Sequence, residues 1–139
     1  EGLDMLTNIR ICPNVLAQSI VQTALGGHQS VNDYLVPGGR IYEQRDYIHN
    51  AVKSIDGITA VKLKAASFIF PKIDAKKFNI RNDEQFALDL LHDEKLLIVQ
   101  GTGFNWKDPD HFRVVYLPRV EVLKGAVDKM THFFSHYRQ

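Results

Sequence analysis

The sequence predicts an α+β fold in which a small, mainly antiparallel sheet has helices packed on one face and is preceded by a helical segment. Three observations predict it. Apolar residues recur at helical spacing in several segments, the β-branched and aromatic runs are short, and both kinds of segment alternate in the second half. A length of 139 residues is enough for one domain with a hydrophobic core.

The beginning of the chain is predicted to be helical. Leu3, Leu6 and Ile9 recur at helical spacing, and no Ser, Thr, Asp or Asn precedes them to cap a helix. We therefore expect the chain to start inside a longer element. A second helix is predicted over residues 16–25, which a glycine pair ends, and the stretch SVNDYLVPGG predicts a short helical turn and a loop.

The middle of the chain is predicted to contain one long helix and two strands. An apolar stripe predicts a helix over residues 40–55, ended by Gly57. The runs ITAVKL (58–63) and SFIF (67–70) predict two strands. Because only a few residues separate them, we expect the two strands to pair as a hairpin.

A helix within NDEQFALDLLHDEKL is predicted to begin with a capping box, made by Asn82 and Gln85, and to face the core through Phe86, Leu90 and Leu91. After it, residues 97–100 and 112–117 predict two further strands.

A final helix over residues 120–137 carries apolar residues three and four positions apart, which predicts one continuous packing stripe. We expect the strands at 58–63, 67–70 and 112–117 to form one small sheet. The helices at 40–55 and 120–137 should then cover one of its faces.

Composition and charge exclude several classes of protein. Seventeen basic against sixteen acidic side chains leave a formal charge of +1, which gives no electrostatic reason to expect nucleic acid or an anionic membrane as partner. A single cysteine, Cys12, excludes an internal disulfide framework and fits a reducing compartment. No apolar run approaches the roughly 20 residues that a transmembrane helix needs, and no signal-peptide pattern is visible.

Three motifs have a simpler structural interpretation. GTGFNW (101–106) contains Gly-x-Gly without a third glycine or a Walker lysine, so a tight turn is favoured over a phosphate loop. His132 and His136 are four apart on the last helix, but without a third ligand they indicate a solvated face. Asp108 and Asp110 indicate a polar turn, in which we expect no apolar surroundings that would shift a pKa.

Arg113 is the one suggestive side chain. On an alternating strand it shares a face with Val115 and Leu117, opposite to Phe112, Val114 and Tyr116. It is either the solvated end of a half-exposed strand or a charge held in a cleft to bind an anion. Since arginine is mostly exposed in proteins, the residues alone favour the first interpretation.

Four stretches together resemble one family. They are QTALGG (22–27), PGGRIYEQRD (37–46), FPKIDAKKFNI (70–80), and LIVQGTGFNW with DHFRVVYLPR (97–119). In this order they resemble the C-terminal part of a pyridoxal-phosphate-dependent aminotransferase of fold type I, and they are most similar to the bacterial alanine aminotransferase branch. The resemblance covers nearly the whole chain, and FPKIDAKKFNI and VQGTGFNW are specific to that branch.

The resemblance implies a role for Arg113. The matching arginine of the family binds the α-carboxylate of the substrate, and a planar guanidinium can do so with two parallel hydrogen bonds. The family's reaction moves an amino group between an amino acid, here alanine or glutamate, and a 2-oxo acid. The resemblance further implies a cytoplasmic homodimer when the protein is full length, without nucleic acid or membrane as partner.

The resemblance also implies that this chain is one part of the enzyme. The family's Schiff-base lysine lies in a Ser-Lys motif upstream of the matching region, and no Ser-Lys pair occurs here. We therefore expect pyridoxal phosphate in the full-length enzyme, no cofactor and no catalytic residue in this chain, and no metal. Residues 1–26 should be a helical segment leading from a large domain, and residues 27–139 the C-terminal small domain.

One departure and one alternative remain. Ala65, Ala66, Ser67 and Phe68 stand where the family commonly has Gly-Ala-x-Tyr, and Phe68 cannot donate a tyrosine's hydroxyl hydrogen bond. This leaves substrate preference open between alanine, aspartate and a broader range. The alternative function is a stand-alone α+β binding or scaffold module in which Arg113 binds an anion.

Overall fold

The computed structural model describes residues 2–3, 14–64 and 67–139. The chain forms two compact units, Glu1–Tyr34 and Leu35–Gln139. Compactness does not show which residues belong to a larger domain, so the expected division at residue 26 stays a prediction. Several residues of the sequence predictions lie outside the described part, namely Leu6, Ile9, Cys12, Ala65 and Ala66.

The first unit contains helix α1, Val15–Gly26. Asn14 caps it because its side-chain oxygen accepts a hydrogen bond of 3.1 Å from the backbone N–H of Ala17. At the other end the N–H of Gly27 donates to the carbonyl of Thr23 at 2.9 Å. The helix predicted over residues 16–25 is confirmed, and the predicted short turn is helix α2, Asn32–Leu35.

The second unit alternates helices with very short strands. Its helices are α3 (Arg40–Lys53), α4 (Asp83–Glu94) and α5 (Val120–His136). Its strands are β1 (Ile58–Thr59), β2 (Phe68–Ile69), β3 (Lys72–Ile73), β4 (Val99–Gln100) and β5 (Phe112–Val115). The α+β class is confirmed, and none of the helices in the described residues is long and apolar enough to cross a membrane.

The strands pair differently from the prediction. β1 pairs antiparallel with β3, while β2, β5 and β4 form a second antiparallel sheet in that order. The predicted hairpin of residues 58–63 with 67–70, and the single sheet containing both, are therefore wrong. A bridge between Lys72 and His111 lies between the two sheets. The local sequence indicates that these runs are extended, but their partners are chosen by packing between distant segments.

The core is one cluster to which helices α3, α4 and α5 and the two sheets described for the second unit contribute. Helix α5 buries a stripe at spacings of three and four, as predicted, and α3 buries another with Ile48 and Val52. Leu91 of α4 is 37% exposed, so its predicted inward orientation is wrong. The buried residues of α5 are Leu123, Val127, Met130, Phe133 and Phe134.

The start of α4 is capped by two different residues. The side-chain oxygen of Asn82 accepts from the N–H groups of Glu84 and Gln85 at 2.9 and 3.1 Å. Gln85, however, donates to Asp89 at 2.7 Å. The N–H of Asn82 donates instead to the side chain of Gln139 at 2.9 Å. Asn82 is confirmed as the cap, and the capping box is wrong because a distant amide takes the place of Gln85.

Candidate functional site

Arg113 lies on β5, the central strand of the three-stranded sheet. It stands opposite Val99 of β4, and the next two residues of β5, Val114 and Val115, pair with β2. The neighbouring positions Phe112 and Tyr116 are buried in the core, at 0% and 1% exposure. Arg113 therefore projects from the face of the sheet opposite to the core, as the alternation predicts.

Aromatic rings surround the Arg113 side chain. Its guanidinium carbon lies over the ring of Phe104, 4.3 Å from the centroid, and 5.4 Å from the centroid of Phe68. The Nε atom is buried and has no hydrogen-bond partner among the described residues. A cavity of about 300 Å³ is lined by Phe68, Phe70, Phe104 and Arg113, so Arg113 is the one charged residue of its lining in the described part of the chain.

The turn that carries Phe104 is a 3₁₀ helix, Gly101–Phe104. The N–H of Gly101 donates to the carbonyl of His111 at 2.8 Å, and a Cβ at Gly101 would lie only 2.8 Å from that oxygen. Only glycine therefore permits this close approach. Asn105 ends the turn with a left-handed φ of 59°. The interpretation of GTGFNW as a tight turn is confirmed.

Asp83 fixes this turn from α4. Asp83 is 2% exposed, and its carboxylate accepts two hydrogen bonds from Thr102, one from the backbone N–H at 2.9 Å and one from the hydroxyl at 2.7 Å. Since Asp83 is the first residue of α4, its negative charge also lies at the favourable end of the helix dipole.

Asp110 is the centre of a second polar cluster, beside the cavity. It accepts hydrogen bonds from Trp106 Nε1 at 3.0 Å and His111 Nδ1 at 2.6 Å, and Lys72 lies 3.2 Å away. Burial raises the pKa of Asp110, but these three partners outweigh it and hold that pKa below its ordinary value. The prediction that Asp108 and Asp110 lack apolar surroundings that shift a pKa is wrong for Asp110, since burial is the largest single influence on its pKa.

This cluster supports a wall of the cavity. The His111 ring stacks on Phe70 with centroids 4.9 Å apart, and Trp106 meets Phe70 edge-on at 5.7 Å. Phe70 in turn meets Phe104 edge-on at 6.3 Å. Ring contacts of this kind favour one arrangement of the wall.

The two histidines of the last helix are exposed, as expected of a solvated face. His132 contacts Glu94 at 2.6 Å, and His136 donates to the carbonyl of His132 at 2.8 Å. Within the described residues, no group of three or more His, Cys, Asp or Glu side chains could hold a metal ion.

Sequence reasoning found Arg113 and missed the residues around it. In the sequence, Phe104 is recognisable only as part of a predicted turn, and Phe68 only as a replacement for a tyrosine. A usable signal existed for Phe68, because strand alternation places it on the same face as Phe70. No local pattern connects Asp83 to Thr102, which lies 19 residues further along the chain.

Curated proteins similar to this chain are aminotransferases, although no protein-family model matches it. The glutamate-pyruvate aminotransferase AlaA of Haemophilus influenzae is 55% identical over 139 residues. The alanine aminotransferase of Mycobacterium tuberculosis is 48% identical over 139 residues. Each alignment covers 100% of this chain but only 34% or 32% of the relative. The chain thus spans about a third of the length of these relatives.

Solved structures show the same relationship. An aminotransferase from Escherichia coli superposes with a TM-score of 0.89 at 51% identity, covering 99% of this chain and 34% of that one. An alanine aminotransferase from Pyrococcus furiosus gives a TM-score of 0.80 at 38% identity, covering 95% and 33%. The resemblance inferred from the four sequence stretches is confirmed, and the alternative of a stand-alone module has no support in these comparisons.

Proposed function

Because the whole chain matches one third of the alanine aminotransferases, we propose that the protein containing it is an aminotransferase of that family. It moves an amino group between an amino acid and a 2-oxo acid, and alanine with glutamate is the favoured pair. The names of the relatives support this pair. The observation that carries the proposal is that Arg113 lines a cavity whose other lining residues in the described part of the chain are all phenylalanines.

Arg113 is proposed to bind the α-carboxylate of both substrates. A phenyl ring offers no conventional hydrogen-bond acceptor, so the contacts with Phe68 and Phe104 leave the N–H donors of the guanidinium available. A carboxylate can accept two of them in parallel, which fixes its orientation as well as its position. The central strand β5 holds the backbone of Arg113, and the apolar walls strengthen the charge interaction by excluding water.

The residues described here do not fit a binding site for the cofactor. Pyridoxal phosphate needs a lysine for its Schiff base, and none of the four residues lining the cavity in the described part of the chain is a lysine. Lys77, the least exposed lysine there, is paired with Asp56. The proposal therefore assigns the cofactor and the catalytic lysine to the rest of the protein, and only substrate recognition to this chain.

The remaining parts of the proposal concern the whole protein. Residues 27–139 are proposed to be its small domain, residues 1–26 a segment leading from a larger domain, and the assembly a homodimer. The single cysteine of the chain is consistent with a cytoplasmic location. Phe68 in place of a tyrosine offers its ring to Arg113 and no hydroxyl to a substrate, which fits a small substrate side chain such as alanine's.

The test is kcat/KM of the full-length protein for alanine and for 2-oxoglutarate, in wild type, Arg113→Lys and Arg113→Ala. Losing two charge-assisted hydrogen bonds should cost about 3–5 kcal/mol, or some hundreds- to thousands-fold in kcat/KM, in both half-reactions. Arg113→Lys keeps the charge but lacks the planar pair of N–H donors, so its loss of kcat/KM should be smaller than that of Arg113→Ala. Thermal melts should barely change, because Arg113 projects away from the core.

Two results would contradict the proposal. One is a wild-type protein that transaminates neither substrate. The other is a loss below tenfold in Arg113→Ala, since two charge-assisted hydrogen bonds are worth more than about 1.4 kcal/mol.

A further inference from the structure

We propose that Phe104 is a positioning residue, which acts on substrate by holding the Arg113 guanidinium in its binding orientation, and that Asp83 and Thr102 hold Phe104 in place. This inference rests on the proposed function, since it concerns how Arg113 meets a carboxylate. It starts from the position of Phe104, which is 44% exposed and contributes no buried surface to the core cluster.

The contact geometry gives Phe104 this role. The Arg113 guanidinium carbon is nearer to the Phe104 centroid than to that of Phe68, at 4.3 against 5.4 Å. In the described residues the Nε atom has no hydrogen-bond partner that could fix the side chain by a polar contact. A free arginine side chain has many rotamers available, and a ring packed against its planar group restricts them.

The turn holds the ring rigidly. Phe104 ends the short 3₁₀ helix whose second residue, Thr102, is bound twice to the buried carboxylate of Asp83. At the start of the same turn, Gly101 is hydrogen-bonded to the strand segment that leads into Arg113, through the carbonyl of His111. Ring and guanidinium are therefore fixed to one frame, which extends from α4 through the turn to β5.

The chain offers a matched control. Arg45 has a similar ring contact, with its guanidinium carbon 4.5 Å from the centroid of Tyr42. Arg45, however, donates two hydrogen bonds to Asp46, at 2.9 and 3.0 Å, so its orientation does not depend on the ring. Tyr42→Leu should thus leave carboxylate binding unchanged, whereas Phe104→Leu should not.

The experiment compares the full-length wild-type protein with the single variants Phe104→Leu, Phe104→Tyr and Tyr42→Leu. Each Phe104 variant is also combined with Arg113→Ala. Binding of propionate, a monocarboxylate with alanine's carbon skeleton, is measured by ligand-observed NMR, alongside kcat/KM for alanine and 2-oxoglutarate. Phe104→Leu should weaken propionate binding and lower both kcat/KM values by about fivefold to thirtyfold, the span between an exposed and a desolvated cation–π contact. Phe104→Tyr and Tyr42→Leu should remain within about twofold of wild type, since Tyr also presents a ring face.

The double variants decide whether Phe104 acts through Arg113. In the Arg113→Ala background, Phe104→Leu should have no further effect. An equal effect in both backgrounds, or wild-type binding by Phe104→Leu, would overturn the inference and leave the proposed function standing. If Arg113→Ala itself leaves propionate binding and turnover unchanged, the proposed function fails and the inference fails with it.

Discussion

Replacing Thr102 by valine should destabilise the chain by removing one hydrogen bond to a buried carboxylate. The Thr102 hydroxyl donates to Asp83 Oδ1 at 2.7 Å, while the Thr102 backbone N–H donates to the other oxygen, Oδ2, at 2.9 Å. Valine has a similar size but no hydroxyl, so only the second bond survives. Asp83 is 2% exposed, which leaves Oδ1 with little access to water as a replacement donor.

The expected loss is about 2 kcal/mol, since a hydrogen bond to a charged group contributes about 1.5–3 kcal/mol. Thr102 itself is exposed, so the added methyl group of valine has no core to enter and gives no compensation. Thr102→Ser is the matched control, because it keeps the hydroxyl and removes only an exposed methyl group. Its effect should stay within about 0.5 kcal/mol, as for other surface changes.

Urea unfolding of the chain measures both variants, followed by fluorescence of the single tryptophan. That residue, Trp106, lies just beyond the turn, so its fluorescence should report directly when the turn unfolds. Equal unfolding free energies for Thr102→Val and Thr102→Ser would refute the reasoning, because the hydroxyl bond would then contribute nothing. A loss below about 0.5 kcal/mol in Thr102→Val would do the same.

Two further predictions concern a glycine and a carboxylate. Gly57→Ala should lower the free energy of unfolding by more than about 2 kcal/mol, because φ is +90° and a Cβ would lie 2.6 Å from the Phe78 ring. Gly38→Ala, at φ +88° but in open space, should lower it by about 1 kcal/mol. Equal losses of melting temperature in Gly57→Ala and Gly38→Ala would contradict the expected clash with Phe78. Since the folded pKa of Asp110 is lowered, its charged form stabilises the fold above the ordinary value of 3.8. The stability difference between wild type and Asp110→Asn should therefore shrink as the pH falls below 3.8 through the folded pKa, and a pH-independent difference in urea unfolding would contradict this.

The helices could be predicted from the sequence because their signals are local. The apolar stripe of α5, the glycine pair at the end of α1 and the Asn82 cap each lie within the helix they specify or next to it. The strand pairing could not be predicted, because strands β1 to β4 are each two residues long and a pair of residues carries too little pattern to select a partner. β1 therefore joined β3 and not the next strand along the chain.

Only the charged residue of the candidate site, Arg113, could be predicted from the sequence. Alternation along β5 gave the direction of Arg113, and the resemblance gave it a role. The ring of Phe104 reaches the guanidinium through a turn held by Asp83, and such a contact between separate segments leaves no periodic trace in either one. The Asn82 N–H shows the same limit, since Gln139 is its partner from 57 residues away.

The segment Phe68–Ile73 changes sheets within six residues, and this restricts where insertions and deletions can be accommodated in the chain. Its first two residues pair with β5 and its last two with β1, so both registers depend on the same count of residues between them. One inserted or deleted residue would turn Ile69 or Ile73 from the core toward solvent, or break the pairing with one partner. Natural insertions and deletions should therefore accumulate in the connections on either side and be absent from this segment.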